Sequence, residues 1–265
     1  MWSRSEREWS GPLFDAHVHV GRSLFGLEQS VDDLLASMDG VGVTRAVIVP
    51  FKPPAYELGP ENDRIARAVR EHTNRFHGFA RVDPWQREGA LAELRRAHRD
   101  LGLQGLYLHP SEEQFAANDE LVFPLLAYLQ EHGLPLLLAG GYPGYAHPSQ
   151  VGDLARQFPE VTIIVTHGGQ LNNSGLLLGD AGQMLRAHPN LIMETSGIYR
   201  QDFIEDTVAE LGAHRVLFGS NAPAMDQGFE SLRVRLAHLS DTDKNAIAYG
   251  TMARILGILD DVRSG

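Results

Sequence analysis

The sequence has no cysteine, only two lysines (Lys52 and Lys244) and no long apolar run in its 265 residues. Each absence excludes a class of chemistry. Without cysteine there is no disulfide framework, no thiolate zinc or iron–sulfur ligation and no thiol nucleophile. Twenty-three Lys+Arg stand against 34 Asp+Glu, a formal net charge of −11, so nucleic acid, which needs clustered positive charge, is not an expected partner. No stretch approaches the ~18 apolar residues of a spanning helix, and residues 1–10 lack the apolar core of a signal peptide. A cytoplasmic setting away from membranes is expected. Residues 1–10 read as a mobile arm and 11–265 as one domain. What is present is ordinary globular composition, 43% hydrophobic and 22% charged, with twelve histidines. Imidazole is the usual nitrogen ligand for metals and the usual acid–base group near neutral pH, so the placement of those twelve matters most.

Short apolar runs at 13–20, 45–50, 76–82, 105–109, 135–139, 161–166, 191–194 and 216–219 alternate with helical patterns. The helical stretches fall at 31–39, 62–72, 88–100, 119–132, 149–158, 181–188, 202–211 and 228–239, with a final one at 243–256. Several runs are rich in Val and Ile and end in Gly, Pro, Ser or Asn, as buried parallel strands do. Ser30 before Asp32 and Asp33 reads as an N-cap, and Leu91, Leu94, Ala97 and Leu101 form one apolar stripe. Eight strand–helix units predict an α/β fold, a single-domain (β/α)8 TIM barrel. The rival is an open doubly wound sheet, but no G-x-G-x-x-G or P-loop pattern follows any run, and Gly40 and Gly42 close a helix.

In such a barrel, function sits at the C-terminal strand ends. The first run carries Asp15, His17 and His19, and residues two apart on a strand share a face. The second ends at Pro50 with Lys52 beyond, and the third holds Arg81 and Asp83. The fourth ends in Tyr107 and His109, the sixth in Thr166 and His167, the seventh in Glu194, and the eighth in Gly219, Ser220 and Asn221. Each has a plainer reading. His17 and His19 could be hydrogen-bonded core histidines, His167 a structural residue, and Glu194 a polar strand terminus. His109 is balanced between function and structure, as is His147. His72, His77, His98, His132, His188, His214 and His238 read as solvated or capping residues on or beside helices.

Taken together, Asp15-Ala16-His17-Val18-His19, Thr166-His167-Gly168-Gly169 and Leu217-Phe218-Gly219-Ser220-Asn221-Ala222-Pro223 resemble the amidohydrolase superfamily. The similar branch is the amidohydrolase-related one of aminocarboxymuconate-semialdehyde decarboxylase, resorcylate-type decarboxylases and dicarboxylate lactonases. The resemblance covers residues 13–256 and implies a divalent metal, zinc foremost, at the barrel mouth. His17 and His19 match its metal-binding pair, and His167 matches a histidine that contacts metal or acts on substrate. A histidine ending strand five and an aspartate ending strand eight normally complete the site. Here those positions are Ala139 and Asn221. Alanine offers no lone pair, and the amide of asparagine cannot take up a proton near pH 7.

Three outcomes stand open: an all-histidine metal site, a metal-free acid–base site, or a silent ligand-binding relic. The leading expectation is a metal-dependent hydrolase of a small carboxylated ester, lactone or amide, its metal on His17, His19 and His167. His109, His167 or Glu194 would move the proton, with Asn221 beside them. The alternative enzyme is a non-oxidative decarboxylase or hydratase of a small aromatic acid. Arg81, Lys52 and Tyr107 are the substrate-binding candidates, with Arg22 and Arg200 as further cations and Tyr142, Tyr145, Tyr199 and Phe229 near the same rim. Residues 140–147 read as a lid, and 170–178 as a cover or a self-association element of a homo-oligomer.

Overall fold

In a computed structural model describing residues 9–170 and 177–258, the first apolar run forms β1 (Leu13–Arg22). After it come β2 (Val43–Pro50), β3 (Phe76–Gly78, resumed as Ala80–Arg81), β4 (Leu106–Leu108) and β5 (Leu136–Leu138). Next are β6 (Ile163–Val165), β7 (Leu191–Glu194) and β8 (Val216–Leu217). Pairing is parallel and follows chain order from β1 to β8. The eighth segment then meets the first. Ala16 N–H donates to Phe218 O at 3.0 Å, Asn221 N–H to His17 O at 2.8 Å and His19 N–H to Ala222 O at 2.8 Å. The expected (β/α)8 barrel is closed.

The helices between strands are α1 (Val31–Val41), α2 (Leu58–Glu71), α3 (Glu88–Arg99), α4 (Phe123–His132), α5 (Pro148–Gln157), α6 (Leu178–Ala187), α7 (Gln201–Leu211) and α8 (Gln227–Arg235). Ser30 caps α1 as expected: its Oγ accepts from Asp33 N–H at 3.1 Å, and Gly42 at φ 85° ends the helix. Along α3 the buried residues are Ala90, Leu94 and Ala97, the predicted stripe. The stretch 119–132 departs from one continuous helix. Glu120–Val122 is a 3-10 turn, and the α-helix begins at Phe123, where Pro124 sits in the first turn and needs no N–H partner. Beyond α8, the chain runs through Asp241–Asn245, a π turn Ala246–Gly250 and Thr251–Ile255. Among the described residues no helix is long and apolar enough to cross a membrane.

Apolar side chains form two layers. Phe14, Ala16, Val47, Val49, Phe79, Tyr107, Leu137, Ile164 and Leu217 fill the barrel interior. Val18, Ile48, Leu106, Leu138, Ile163 and Val216 face the helices instead. This is the alternation that a strand buried on both sides requires. His77 lies on β3, not beside a helix, where it is buried and its Nδ1 stands 2.7 Å from Gln104 Oε1. Residues 1–8 of the expected arm lie outside the described residues. Trp9 is buried, its indole N–H donating to Asn245 Oδ1 at 3.0 Å.

Candidate functional site

Strict alternation along β1 would send its two histidines the wrong way. Phe14 and Ala16 belong to the interior, so residues 17 and 19 would face the helices. A one-residue bulge reverses this: Asp15 pairs with Ala46 but Val18 with Ile48, three steps on β1 against two on β2. Beyond it Val18 and Val20 pack outward, while His17 and His19 turn in, 1% and 6% exposed. Their rings are 5.0 Å apart and their Nε2 atoms 3.2 Å apart. His19 stacks on Phe51 at 4.7 Å and meets the Tyr107 ring edge-on at 5.4 Å. Asp15 accepts from Ser220 N–H at 2.9 Å and from Gln227 Nε2 at 2.8 Å, tying the bulge to the eighth unit. Burial pushes its carboxyl up to about 6, against the pull of those hydrogen bonds.

Glu194, at the end of β7, is fully buried behind His17. Its Oε2 stands 3.5 Å from His17 Nδ1, close enough for charge attraction, and accepts from Ser196 Oγ at 2.8 Å and His167 N–H at 3.4 Å. Burial alone would raise its pKa. Contact with His17, the His17 and His167 charges and the Ser196 N–H outweigh that and hold it below the usual carboxylate range. His167 follows β6 in the left-handed region at φ 57°, and Gly168 and Gly169 continue at φ 60° and 74°. Those glycines take the turn at little steric cost. Ser196 O lies 3.0 Å from His167 Nδ1 and can only accept, so Nδ1 carries the proton and Nε2 keeps its lone pair. Burial lowers the His167 pKa; Glu194 raises it, His17 lowers it and the Ser196 bond raises it, with a net fall.

The glycine in the strand-eight motif has a steric reason. A Cβ at Gly219 would overlap the Glu194 carboxyl group. Gly219→Ala is therefore expected to cost ~1–3 kcal/mol, measured by urea unfolding, because the buried carboxylate must shift.

Arg81, from β3, is fully buried. Its Nη2 donates to Glu112 Oε2 at 2.5 Å and Glu113 Oε1 at 2.7 Å, its Nη1 to Pro50 O at 3.3 Å, and the guanidinium lies 5.3 Å from the Tyr107 ring centre. Both glutamates belong to a one-turn helix, Pro110–Glu113, that the apolar pattern did not announce. Lys52 Nζ donates to Glu112 O at 2.5 Å. Arg81 and Lys52, two of the expected substrate-binding residues, thus meet protein partners at the mouth. Both cations are already engaged by this helix, because its two acids reach back over the barrel mouth.

His109 starts that helix as its cap, Nδ1 accepting from Glu112 N–H at 3.1 Å, while Tyr142 Oη lies 3.3 Å from Nε2. Burial lowers its pKa to about 3, with Glu112 opposing and Arg81, His167 and His17 reinforcing. The unfolded value is near 6.5, so across that window the unfolded chain binds the extra proton and stability falls as pH drops from about 6.5 toward about 3. At pH 5 the loss is about 2 kcal/mol. His109→Asn keeps a capping acceptor without this titration. Urea unfolding at pH 7 and pH 5 should show about that much less acid destabilisation in the variant.

The structure therefore gathers His17, His19, Tyr107, His167 and Glu194, with His109 next to Tyr107 at 6.1 Å between rings. Asn221 enters through its backbone, at φ 55° with its N–H on His17 O. The predicted lid folds on itself, Gly141 N–H donating to Ala146 O at 2.9 Å, and His147 caps α5. Tyr199 and Phe229 are exposed, and Arg200 pairs with Asp202. Most of the proposed cover, 171–176, lies outside the described residues. Sequence reasoning missed Ser196, Glu112 and Glu113. Ser196 two residues beyond Glu194, and the paired acids after His109-Pro110, were the available signals.

The amidohydrolase family model matches residues 14–258. A gamma-resorcylate decarboxylase from Polaromonas sp. (strain JS666 / ATCC BAA-500) is 22% identical, over 71% of this chain and 72% of that protein. An uncharacterized TIM-barrel protein from Bordetella bronchiseptica superposes with a TM-score of 0.78 at 17% identity, covering 94% of this chain and 99% of the other. A dihydroxybenzoic acid decarboxylase from Polaromonas sp. JS666, with bound manganese and the inhibitor 2-nitroresorcinol, superposes with a TM-score of 0.73 at 17% identity, covering 94% and 98%.

The ring tautomers test whether a divalent ion suits the residues here. Glu194 favours a proton on His17 Nδ1, which leaves the Nε2 lone pair turned toward His19 Nε2 at 3.2 Å. Two nitrogen donors converging so closely suit a shared cation, so His17 and His19 fit. His167 stands further off, 6.2 Å from His17 between ring centres, and among the described residues no third His, Asp or Glu joins a metal-holding group. Of the expected His17, His19 and His167 triad, His17 and His19 converge most closely, while His167 Nδ1 is engaged by Ser196. With a family model spanning most of its length, the chain belongs to the amidohydrolase family.

Proposed function

We propose that the protein is a lyase that removes carbon dioxide from a small aromatic carboxylic acid without oxidation. The observation that carries the proposal is His167: buried, fixed by Ser196 through Nδ1, and holding a lone pair on Nε2. Replacing an aryl carboxylate by hydrogen requires a proton at the ring carbon. His167 Nε2 first takes that proton from solvent and then passes it to carbon as the imidazolium, returning to its lone-pair form as carbon dioxide leaves. The depressed pKa of His167 makes its imidazolium a stronger acid, the direction that favours transfer to carbon. A divalent ion on His17 and His19, when bound, would anchor substrate oxygens and draw off negative charge. Glu194 orients His17, and Tyr107 supplies a flat apolar wall beside both histidines.

Hydrolysis of an ester, lactone or amide, the leading expectation from sequence, is less well supported. Asn221 provides no base for an attacking water, and two of the three similar proteins named above are decarboxylases. The test is incubation with 2,6-dihydroxybenzoate and with the dicarboxylate 2-hydroxyisophthalate, each in D2O in the presence of Mn²⁺. Carbon dioxide release with one deuterium placed on the product ring supports the lyase. Hydrolysis of lactones or esters with no such release would overturn it.

A further inference from the structure

Arg81 is the one fully buried cation at the mouth whose bonding is incomplete. Its Nε lies buried and donates to nothing among the described residues. The Nε–Nη2 edge of a guanidinium is the edge that takes a carboxylate with two parallel hydrogen bonds. Here two different carboxylates share Nη2, and neither reaches Nε. The two are not equally placed. The Glu113 side chain is 3% exposed and that of Glu112 22%. Glu112 is also pinned by its backbone, its N–H on His109 and its C=O on Lys52, so its side chain can leave without moving the helix.

The geometry points to Arg81 as the seat of a ligand carboxylate, with Glu112 as an internal carboxylate that the ligand displaces. Exchange of one carboxylate for another keeps the cluster of Arg81, Lys52, Glu112 and Glu113 balanced in charge. The Tyr107 ring touches both the guanidinium and the two histidines, so an acid seated on Arg81 lies one ring's width from His17 and His19. A guanidinium stabilises a carboxylate but not the neutral carbon dioxide it would become. The group held there is therefore one the reaction keeps, and the substrate class is an aromatic acid with two carboxylates. This last step rests on the lyase reading; the seat itself does not.

The probe is isophthalate, with resorcinol as the uncharged control, titrated by calorimetry into the wild type, Glu112→Gln and Glu113→Gln. Removing the competing charge should tighten isophthalate about tenfold in Glu112→Gln, or about 1.4 kcal/mol, and leave resorcinol unchanged. Glu113→Gln should give no such gain. Equal isophthalate affinity in wild type and Glu112→Gln, an equal gain for resorcinol, or no binding to either protein at about 10 mM overturns the seat. Should Glu112→Gln fail to fold, Glu112→Ser removes the same charge and carries the same expectation. Binding needs no turnover, so a tenfold gain in a protein that releases no carbon dioxide would remove the lyase reading alone.

Discussion

Arg81→Met should destabilise the protein by ~3–5 kcal/mol in urea unfolding at pH 7, the cost of stripping a buried charge of its partner. The substitution leaves Glu113 buried without a donor, since Lys52 Nζ is 4.0 Å from its Oε1. It also frees the one-turn helix, which is anchored by Arg81 through side chains and by Lys52 through the backbone. Part of the loss should return in the double variant Arg81→Met/Glu113→Gln, where the orphaned charge is gone. If Arg81→Met unfolds within ~1 kcal/mol of the wild type, the cluster is a solvated surface pair and the buried-charge account fails.

His167→Gln should lower kcat by ~10²–10⁴ on a decarboxylated acid and leave KM within a few-fold. Glutamine fills similar space and can still bond to Ser196, but it cannot carry a proton to carbon at neutral pH. The split between kcat and KM separates this role from a merely structural one. A proportional rise in KM with unchanged kcat would assign His167 to binding instead. Deuterium labelling of the residual product then shows whether solvent still supplies the proton.

The barrel was legible because periodicity repeats: the eight apolar runs and eight amphipathic stretches recur as strands and helices with boundaries shifted by a few residues. The shared face of His17 and His19 was legible for the same reason. Which face they share was not, because the bulge between Asp15 and Val18 leaves no mark in a pattern of alternating residue types. The partners of Arg81 were hidden by a related limit. Sequence shows a cation at a strand end, but the acids that engage it lie 31 and 32 residues away on a helix of only four residues. His109 was ambiguous between chemistry and structure until its Nδ1 was found accepting a backbone N–H.

The lock around Asp15 also fixes when the site can exist. Ser220 and Gln227 bond to Asp15 from 205 and 212 residues further along the chain. During synthesis the first strand leaves the ribosome long before those partners, so the bulge that aims His17 and His19 has to wait for them. Contacts of such high sequence separation are slow to form, because the loop entropy is spent before the bonds return it. Chains ending before residue 220 should therefore lack a formed site even where their early β/α units are folded, and the histidines should acquire their geometry last.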